Sequence, residues 1–401
     1  MSTKRIAIIG AGPVGLEAAL CGRALGHDVQ VYERGRIGQN MTDWGHVTLF
    51  SSWALNHSSL GASLLRDAGA HLPADADYLT GAEHVERYLK PLTRTAALEG
   101  RIHERTEVVQ VGRAHIGKKD LIGGPRQRHP FRLLLEGMQG EEITEADVVL
   151  DCSGTYGNHN WMGNGNIPAL GERALQDRIA YELEDITGVA RERYEGRRVL
   201  LVGSGHSAAT ALDALTQLPA ATVVWVCRNG RDRPLAVTPN DPLPERARLS
   251  EMANALAAGS NSAVQFHPDT EVEQVESRGE SFEVSLGSKG TVEKAAVHRI
   301  LAHVGYSPDN RLYRELQVHE CYASFGPMKL SAALLGESSA DCLAQTSKGP
   351  EVLKNPEPDF YILGAKSYGR NSNFLIRIGL QQVREAYTLI ESQPDLNLYA
   401  S

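Results

Sequence analysis

Short apolar runs alternate with Gly-rich and polar turns along this chain, and two of the runs open the same pattern. Ile6–Ile9 is followed by Gly10-Ala-Gly12-Pro-Val-Gly15, and Val199–Val202 is followed by Gly203-Ser-Gly205-His-Ser-Ala208. A four-residue apolar run bounded by glycine reads as a buried strand turning into a helix N-terminus. After the first turn, Leu16–Ala24 continues as an amphipathic helix and Val29–Tyr32 as a second strand that ends at Glu33. After the second turn, the strand Thr222–Cys227 ends instead at Arg228. The two copies stand about 193 residues apart, and there is no other internal repeat.

The remaining pattern fills in two domains. Residues 40–80 mix polar and aromatic positions without a period and read as irregular. Thr80–Thr93 reads as a helix, with Thr80 as its cap and Glu83 three residues on. Thr106–Gly112 and Phe131–Leu135 suggest an antiparallel meander, with 117–130 between them a mobile Gly- and Arg-rich loop. Ala146–Cys152 is a strand ending at Ser153-Gly154, and the Gly- and Asn-rich run 157–171 marks a boundary. The second repeat starts near Gly196. Its own meander is expected from Ala263–Phe266, Glu271–Ser277 and Ser281–Leu286, and Ile300–Gly305 before Pro308 closes it. Phe360–Gly364 is a late strand that most simply returns to the first sheet, and Phe374–Ile390 is the last helix. The expected fold is α/β: two Rossmann-like three-layer domains, the second inserted into the first. The expected boundaries are 1–165, 166–320 and 321–401.

Composition narrows the class. A chain of 401 residues with 42% hydrophobic and 22% charged residues is an ordinary globular protein with room for two or three domains. A formal net charge of −8, without a dominant basic tract, argues against a nucleic-acid partner. No apolar run reaches membrane-spanning length and the start is too short for a signal peptide, so a cytoplasmic location and no membrane partner are expected. Cys21, Cys152, Cys227, Cys321 and Cys342 form no C-x-x-C pair. Neither a redox dithiol nor a Cys-rich metal site is indicated, and no metal is expected.

The two turns carry the chemistry. In such a turn the first Gly permits the bend, the second lets backbone approach a pyrophosphate, and the third lets helix and strand pack closely. The pyrophosphate sits on unpaired N–H groups at the helix N-terminus. Gly10, Gly12 and Gly15 fill these roles in the first copy. Glu33, 18 residues past Gly15, suits the hydroxyls of an adenosine ribose. In the second copy Gly203 and Gly205 fill the first two places and Ala208 the third. Arg228, Arg231 and Arg233 replace the acid, which favours a 2′-phosphate and hence NADPH over NADH.

With these motifs in place, the sequence resembles the two-dinucleotide-binding-domain flavoproteins, a superfamily that includes thioredoxin reductase, flavin-containing and Baeyer–Villiger monooxygenases and amine N-hydroxylases. Asp151-Cys-Ser-Gly154 resembles its T-G or S-G crossing signature, and Val304-Gly305-Tyr-Ser-Pro308-Asp its G-x-x-P-(N/D) segment. The resemblance implies FAD on the first copy and NADPH on the second. It implies cofactor contacts from Gly10, Gly12, Pro13, Gly15, Glu33, Arg34, Trp44, Val109, Ser153, Gly154 and Gly364, and from Gly203, Gly205, His206, Ser207, Arg228 and Arg233. There are departures. The dithiol is missing, Gly364 is followed by Ala365 and Lys366 rather than Asp, and residues 186–198 lack the His of the flavin-containing monooxygenase fingerprint.

Three segments are candidates for the surroundings of the flavin: His46 within Trp44–Trp53; Lys366, Tyr368, Arg370 and Asn373 before the last helix; and Cys321–Lys329, with Tyr322, Phe325 and Met328 as pocket lining. Cys152 and Cys321 read as buried small apolar residues rather than reactive thiols. The implied function is an NADPH-dependent FAD monooxygenase, moving one oxygen atom of O2 through a C4a-peroxyflavin to a small nucleophilic or carbonyl substrate. The alternative is an FAD-dependent NAD(P)H oxidoreductase that passes electrons to a quinone, a small acceptor or a partner protein. A homo-oligomer is compatible with either.

Overall fold

The computed structural model describes residues 3–336 and 346–399; Cys342 lies outside them. The chain divides into two compact units at Asn158/His159 and at Tyr306/Ser307, the second unit being inserted into the first.

The first unit is built on the parallel sheet β15-β7-β1-β2-β3. These strands are β1 (Arg5–Ile9), β2 (Asp28–Glu33), β3 (Ile102–Glu104), β7 (Val148–Asp151) and β15 (Phe360–Ile362). As the late apolar run suggests, β15 returns to this sheet, with Phe360 opposite Val149 of β7. Strand side chains alternate between faces, and β1 shows what that builds. Ile6 and Ile8 pack in one cluster with helix α1 (Pro13–Ala24) and the last helix, α4 (Ile376–Ile390). Ala7 and Ile9 pack in another, with the antiparallel sheet of β4 (Glu107–Arg113), β5 (Phe131–Gly137) and β6 (Gly140–Ala146). Helices, parallel sheet and meander are thus three layers. The expected strand Ala146–Cys152 is two pieces: Ala146 ends the meander and Val148 begins β7.

Two segments differ from the sequence expectation. Residues 40–80 contain the helix Ser59–Asp67, where the Ser58 Oγ accepts the Gly61 N–H at 2.9 Å. The 117–130 loop is pinned rather than mobile. Arg126 is buried and its Nε donates to Glu357 Oε2 at 2.9 Å, while Nη1 reaches the carbonyls of Gly117 and Asp120. Thr80 caps Gly81–His84 in a full capping box with Glu83, and the helix continues to Thr93 through a π turn at Val85–Leu89.

The second unit repeats the plan. Its parallel sheet, β10-β9-β8-β14, comprises β8 (Arg198–Val202), β9 (Thr222–Val226), β10 (Val264–His267) and β14 (Arg299–Ala302). Helix α2 (His206–Thr216) follows β8, and α3 (Pro244–Ala257) follows β9. A meander of β11 (Glu271–Arg278), β12 (Ser281–Ser288) and β13 (Thr291–Val297) covers one face. Here the expected meander was displaced by one strand. Val264–His267 pairs parallel with β9, and the third meander strand is Thr291–Val297, whose mostly exposed residues left little apolar signal.

The division falls at 158/159 and 306/307 rather than at 165/166 and 320/321. At the first junction His159 stacks on Tyr181 with ring centroids 3.5 Å apart. Buried Glu172 accepts the Met162 and Ala169 N–H groups, which holds the linker in the second unit. At the other junction Leu312, Tyr313 and Leu316 belong to the core around Phe131 and Phe360.

Candidate functional site

In the first unit the β1–α1 turn is shaped by close contacts at two of its three glycines and by open space at the other. Gly10 has φ +98°, and a Cβ there would stand 2.8 Å from the Cys152 carbonyl; a Cβ at Gly15 would stand 1.9 Å from the Gly10 carbonyl. A Cβ at Gly12 would meet nothing within 4 Å. Gly12 and Pro13 open α1, which has no side-chain cap, so its first N–H groups point to the space at Gly12. Glu33 is fixed across the turn, accepting the Ala11 N–H at 2.8 Å on Oε2 and the Gly35 N–H at 2.7 Å on Oε1. A carboxylate oxygen accepts more than one hydrogen bond, so Glu33 retains capacity for ribose hydroxyls.

The same place gathers residues from distant parts of the chain. Gly10 abuts Ser153, and Gly364, at φ +72°, lies against Val14. Asp151, at the end of β7, is fully buried and accepts three bonds: from the Ser153 N–H at 3.1 Å, the Ser153 hydroxyl at 2.6 Å and Lys366 Nζ at 2.6 Å. Arg34 reaches towards Gly157, its Nη2 3.0 Å from where a Cβ would stand, and Trp44 lies 6.3 Å from Tyr156, ring to ring. Gly154, at φ +71°, faces open space. Val109 sits exposed at the bulge of β4.

The residues expected to do substrate chemistry are placed differently. Lys366 is 2% exposed and tied to Asp151 and Ser153, so it is a buried ion-pair partner rather than a free cation for an anionic substrate. Tyr368 is buried with its ring edge-on to Phe374. Arg370 is exposed but held, with Nε donating to the Ser307 hydroxyl at 2.9 Å and its guanidinium over Phe325. Asn373 donates its N–H to Asn371 Oδ1 at 3.0 Å. His46 is exposed on its own loop. Trp53, in the same aromatic segment, is buried, stacked on His57 at 4.3 Å and edge-on to Tyr88 at 5.1 Å. Its aromatic density serves the core. Tyr322 is almost wholly exposed, and Phe325 and Met328 are partly so.

Burial raises the thiols of Cys21 and Cys152 well above the ordinary range and that of Cys227 to about 12, which keeps them protonated. Cys321 is also buried, but a hydrogen bond from Ser324 draws its thiol downward. Among the described residues no His, Cys, Asp and Glu cluster could hold a metal ion, and no helix is long and apolar enough to cross a membrane.

The second unit shows the same turn geometry. Gly203 has φ +130°, and a Cβ there would stand 2.2 Å from the His303 carbonyl. Its own carbonyl accepts Trp225 Nε1 at 2.8 Å. Gly205 opens onto free space, and α2 behind it has no side-chain cap. Ser207 is exposed in the first turn of α2, while His206 meets the Ser250 hydroxyl at 3.2 Å, and burial lowers its pKa. Arg228, Arg231 and Arg233 are exposed beyond β9, Arg228 bonding to Asn166 Oδ1. Two residues escaped the sequence reading. Asn229 Nδ2 donates to the Ser204 hydroxyl at 3.0 Å while its buried Oδ1 has no partner among the described residues. His303 holds a buried Nε2 that likewise lacks one. No motif marks either residue; only the fold brings them to the turn. Both turns therefore fit a dinucleotide: backbone N–H groups, an open approach, and a ribose or phosphate partner at the next strand end.

The family model for pyridine nucleotide-disulphide oxidoreductases matches residues 4–321. Among solved structures, bacillithiol disulfide reductase from Bacillus cereus is 19% identical with a TM-score of 0.68, covering 98% of this chain and 100% of that one. Ornithine hydroxylase from Pseudomonas aeruginosa is 15% identical with a TM-score of 0.63, covering 97% and 99%. Thioredoxin reductase from T. acidophilum is 14% identical with a TM-score of 0.61, covering 98% and 99%. No curated protein matches the chain.

Proposed function

The chain belongs to the pyridine nucleotide-disulphide oxidoreductase family, whose cofactors are FAD and NAD(P)H, and from that premise we propose that it passes electrons from NADPH through FAD to a small acceptor. FAD supplies the hydride and electron chemistry when bound. The chain's own residues have other tasks. The α1 N-terminus and Gly12 receive the pyrophosphate, and Glu33 takes the ribose. Gly205, the α2 N-terminus and Arg228 with Arg233 do the same for the nicotinamide nucleotide. His206 and Ser207 flank that second pyrophosphate position. Ser153, Gly154 and Gly364 border the flavin side of the first turn, with Arg34, Trp44 and Val109 farther along the same unit.

One observation carries the choice of electron transfer over oxygen transfer. Two of the side chains expected at an oxygenation site, and the aromatic anchor of a third segment, are used by the fold: Lys366 is paired with Asp151, while Tyr368 and Trp53 are core residues. Low-molecular-weight disulfides are the first acceptor class to try, since the bacillithiol disulfide reductase shares the fold over the whole chain; quinones come next. Oxygen transfer is the second reading, favoured by the lack of a C-x-x-C pair, which removes dithiol relay.

Anaerobic NADPH oxidation by the FAD-loaded protein, with small disulfides and quinones added in turn, tests this. Turnover without O2 is expected. No anaerobic turnover with any acceptor, together with ¹⁸O from ¹⁸O2 in an amine, sulfide or ketone product, would overturn it.

A further inference from the structure

His303 is the first residue beyond β14, and its carbonyl is the atom that a Cβ at Gly203 would strike. The second sheet runs β10-β9-β8-β14, all parallel. In such a sheet a dinucleotide lies outside the carboxyl ends of the strands, with its pyrophosphate at the Gly-rich turn. Arg228 marks the adenosine end beyond β9, on one side of β8. The other half of the nucleotide then has to extend towards the opposite side of β8, which is the end of β14.

His303 is 7% exposed, and its Nε2 is buried. One ring nitrogen is hydrogen-bonded to the Tyr181 backbone, whose carbonyl also accepts the Tyr306 hydroxyl at 3.1 Å. A ring nitrogen that donates to a carbonyl carries the proton, which leaves Nε2 as a bare acceptor. Burial holds the ring neutral, with its pKa lowered to about 4. Nε2 has no partner among the described residues. A buried acceptor without a donor is costly, so a donor is expected to arrive with a ligand. The nicotinamide half of the nucleotide offers such donors in its ribose hydroxyls and its carboxamide N–H2.

We propose that His303 Nε2 accepts a hydrogen bond from the nicotinamide half of the bound nucleotide and so sets where that half lies. This rests on the nucleotide-binding reading of the second unit but not on the identity of the electron acceptor. The Tyr181 carbonyl fixes the ring from behind, and Tyr181 is itself fixed by its hydroxyl bond to Glu172 at 2.9 Å.

Equilibrium binding of two ligands to the FAD-loaded protein separates the outcomes. NADP⁺ carries the nicotinamide half; 2′,5′-ADP lacks it. His303→Ala should weaken NADP⁺ binding by about tenfold, the loss of one hydrogen bond, and leave 2′,5′-ADP binding unchanged. His303→Gln, which keeps an acceptor, should recover most of the loss. Unchanged NADP⁺ binding in His303→Ala would overturn the assignment. So would equal losses for both ligands, which would mean that the residue supports the unit rather than the nicotinamide half. A wild-type protein that binds neither ligand would overturn the nucleotide reading together with this one.

Discussion

Lys366 Nζ sits 2.6 Å from Asp151 Oδ2, with both side chains inside the first unit. The pair ties the end of β7 to the segment that follows β15, since Asp151 is the last residue of β7 and Lys366 lies four residues past Ile362. Truncating one member strands the other's charge. Lys366→Met should destabilise the protein by about 3–5 kcal/mol, read from the urea midpoint. Adding Asp151→Asn to it should restore a large part of that. If the double variant is no more stable than Lys366→Met, the ion pair is not what the lysine contributes.

Gly12, Gly15 and Gly205 should respond differently to the same kind of change. Gly12 and Gly205 have extended backbones that any residue adopts, and a Cβ at either meets nothing within 4 Å. Gly12→Val should therefore fold and fail to retain FAD. Gly205→Val should fold, retain FAD and resist reduction by NADPH. Gly15→Ala places a methyl 1.9 Å from the Gly10 carbonyl and should lower stability itself. Flavin absorbance and thermal unfolding of the three purified variants check this. A fully loaded Gly12→Val protein would remove FAD from this turn.

NADPH should be preferred over NADH. Arg228 lies two residues past the end of β9 and Arg233 is exposed nearby, with Arg228 near the position that Glu33 holds at the end of β2 in the first unit. Replacing both with Ala should weaken NADPH by about tenfold to a hundredfold and leave NADH nearly unchanged. Steady-state constants for both nucleotides decide it. Equal losses would assign these residues to the fold or to the shared part of the nucleotide.

Both dinucleotide turns were legible in the sequence because their chemistry is local. Strand, glycine spacing, helix and the next strand end all fall within about thirty residues. The return of β15 was legible for a different reason: it is an isolated late apolar run that most simply rejoins the first sheet, although its partner β7 lies far back in the chain. Lys366, Tyr368 and Trp53 were not, because polarity and aromaticity in a loop look alike whether the side chain faces a ligand or the core. Asp151 decides the matter for Lys366, and it lies 215 residues away in sequence. Arg126 shows the converse. A Gly- and Arg-rich stretch reads as a solvated loop until Glu357, 231 residues on, is placed against it. His303 carries no motif at all; its role depends on the order of strands in the sheet.

His84 should make the protein sensitive to acid. It is fully buried among Trp53, His57 and Tyr88, and neither ring nitrogen has a partner among the described residues. Burial, with a smaller contribution from His57, lowers its pKa from 6.5 to about 3. The unfolded chain therefore binds a proton between pH 6.5 and 3 that the folded protein does not. Stability contributed by the neutral ring is complete above pH 6.5 and is lost progressively as pH falls towards 3. At pH 5 the loss relative to pH 8 is about 2 kcal/mol from this group. His84→Leu removes the titration and also the unpartnered nitrogens, so the variant should match or exceed wild type at pH 8 and exceed it more at pH 5. His303, lowered to about 4, adds acid sensitivity of the same sign and is untouched by the substitution. Urea midpoints of both proteins at the two pH values give the difference directly. If the wild type and His84→Leu lose stability equally between pH 8 and pH 5, His84 titrates alike in the folded and unfolded states, and burial does not hold it neutral.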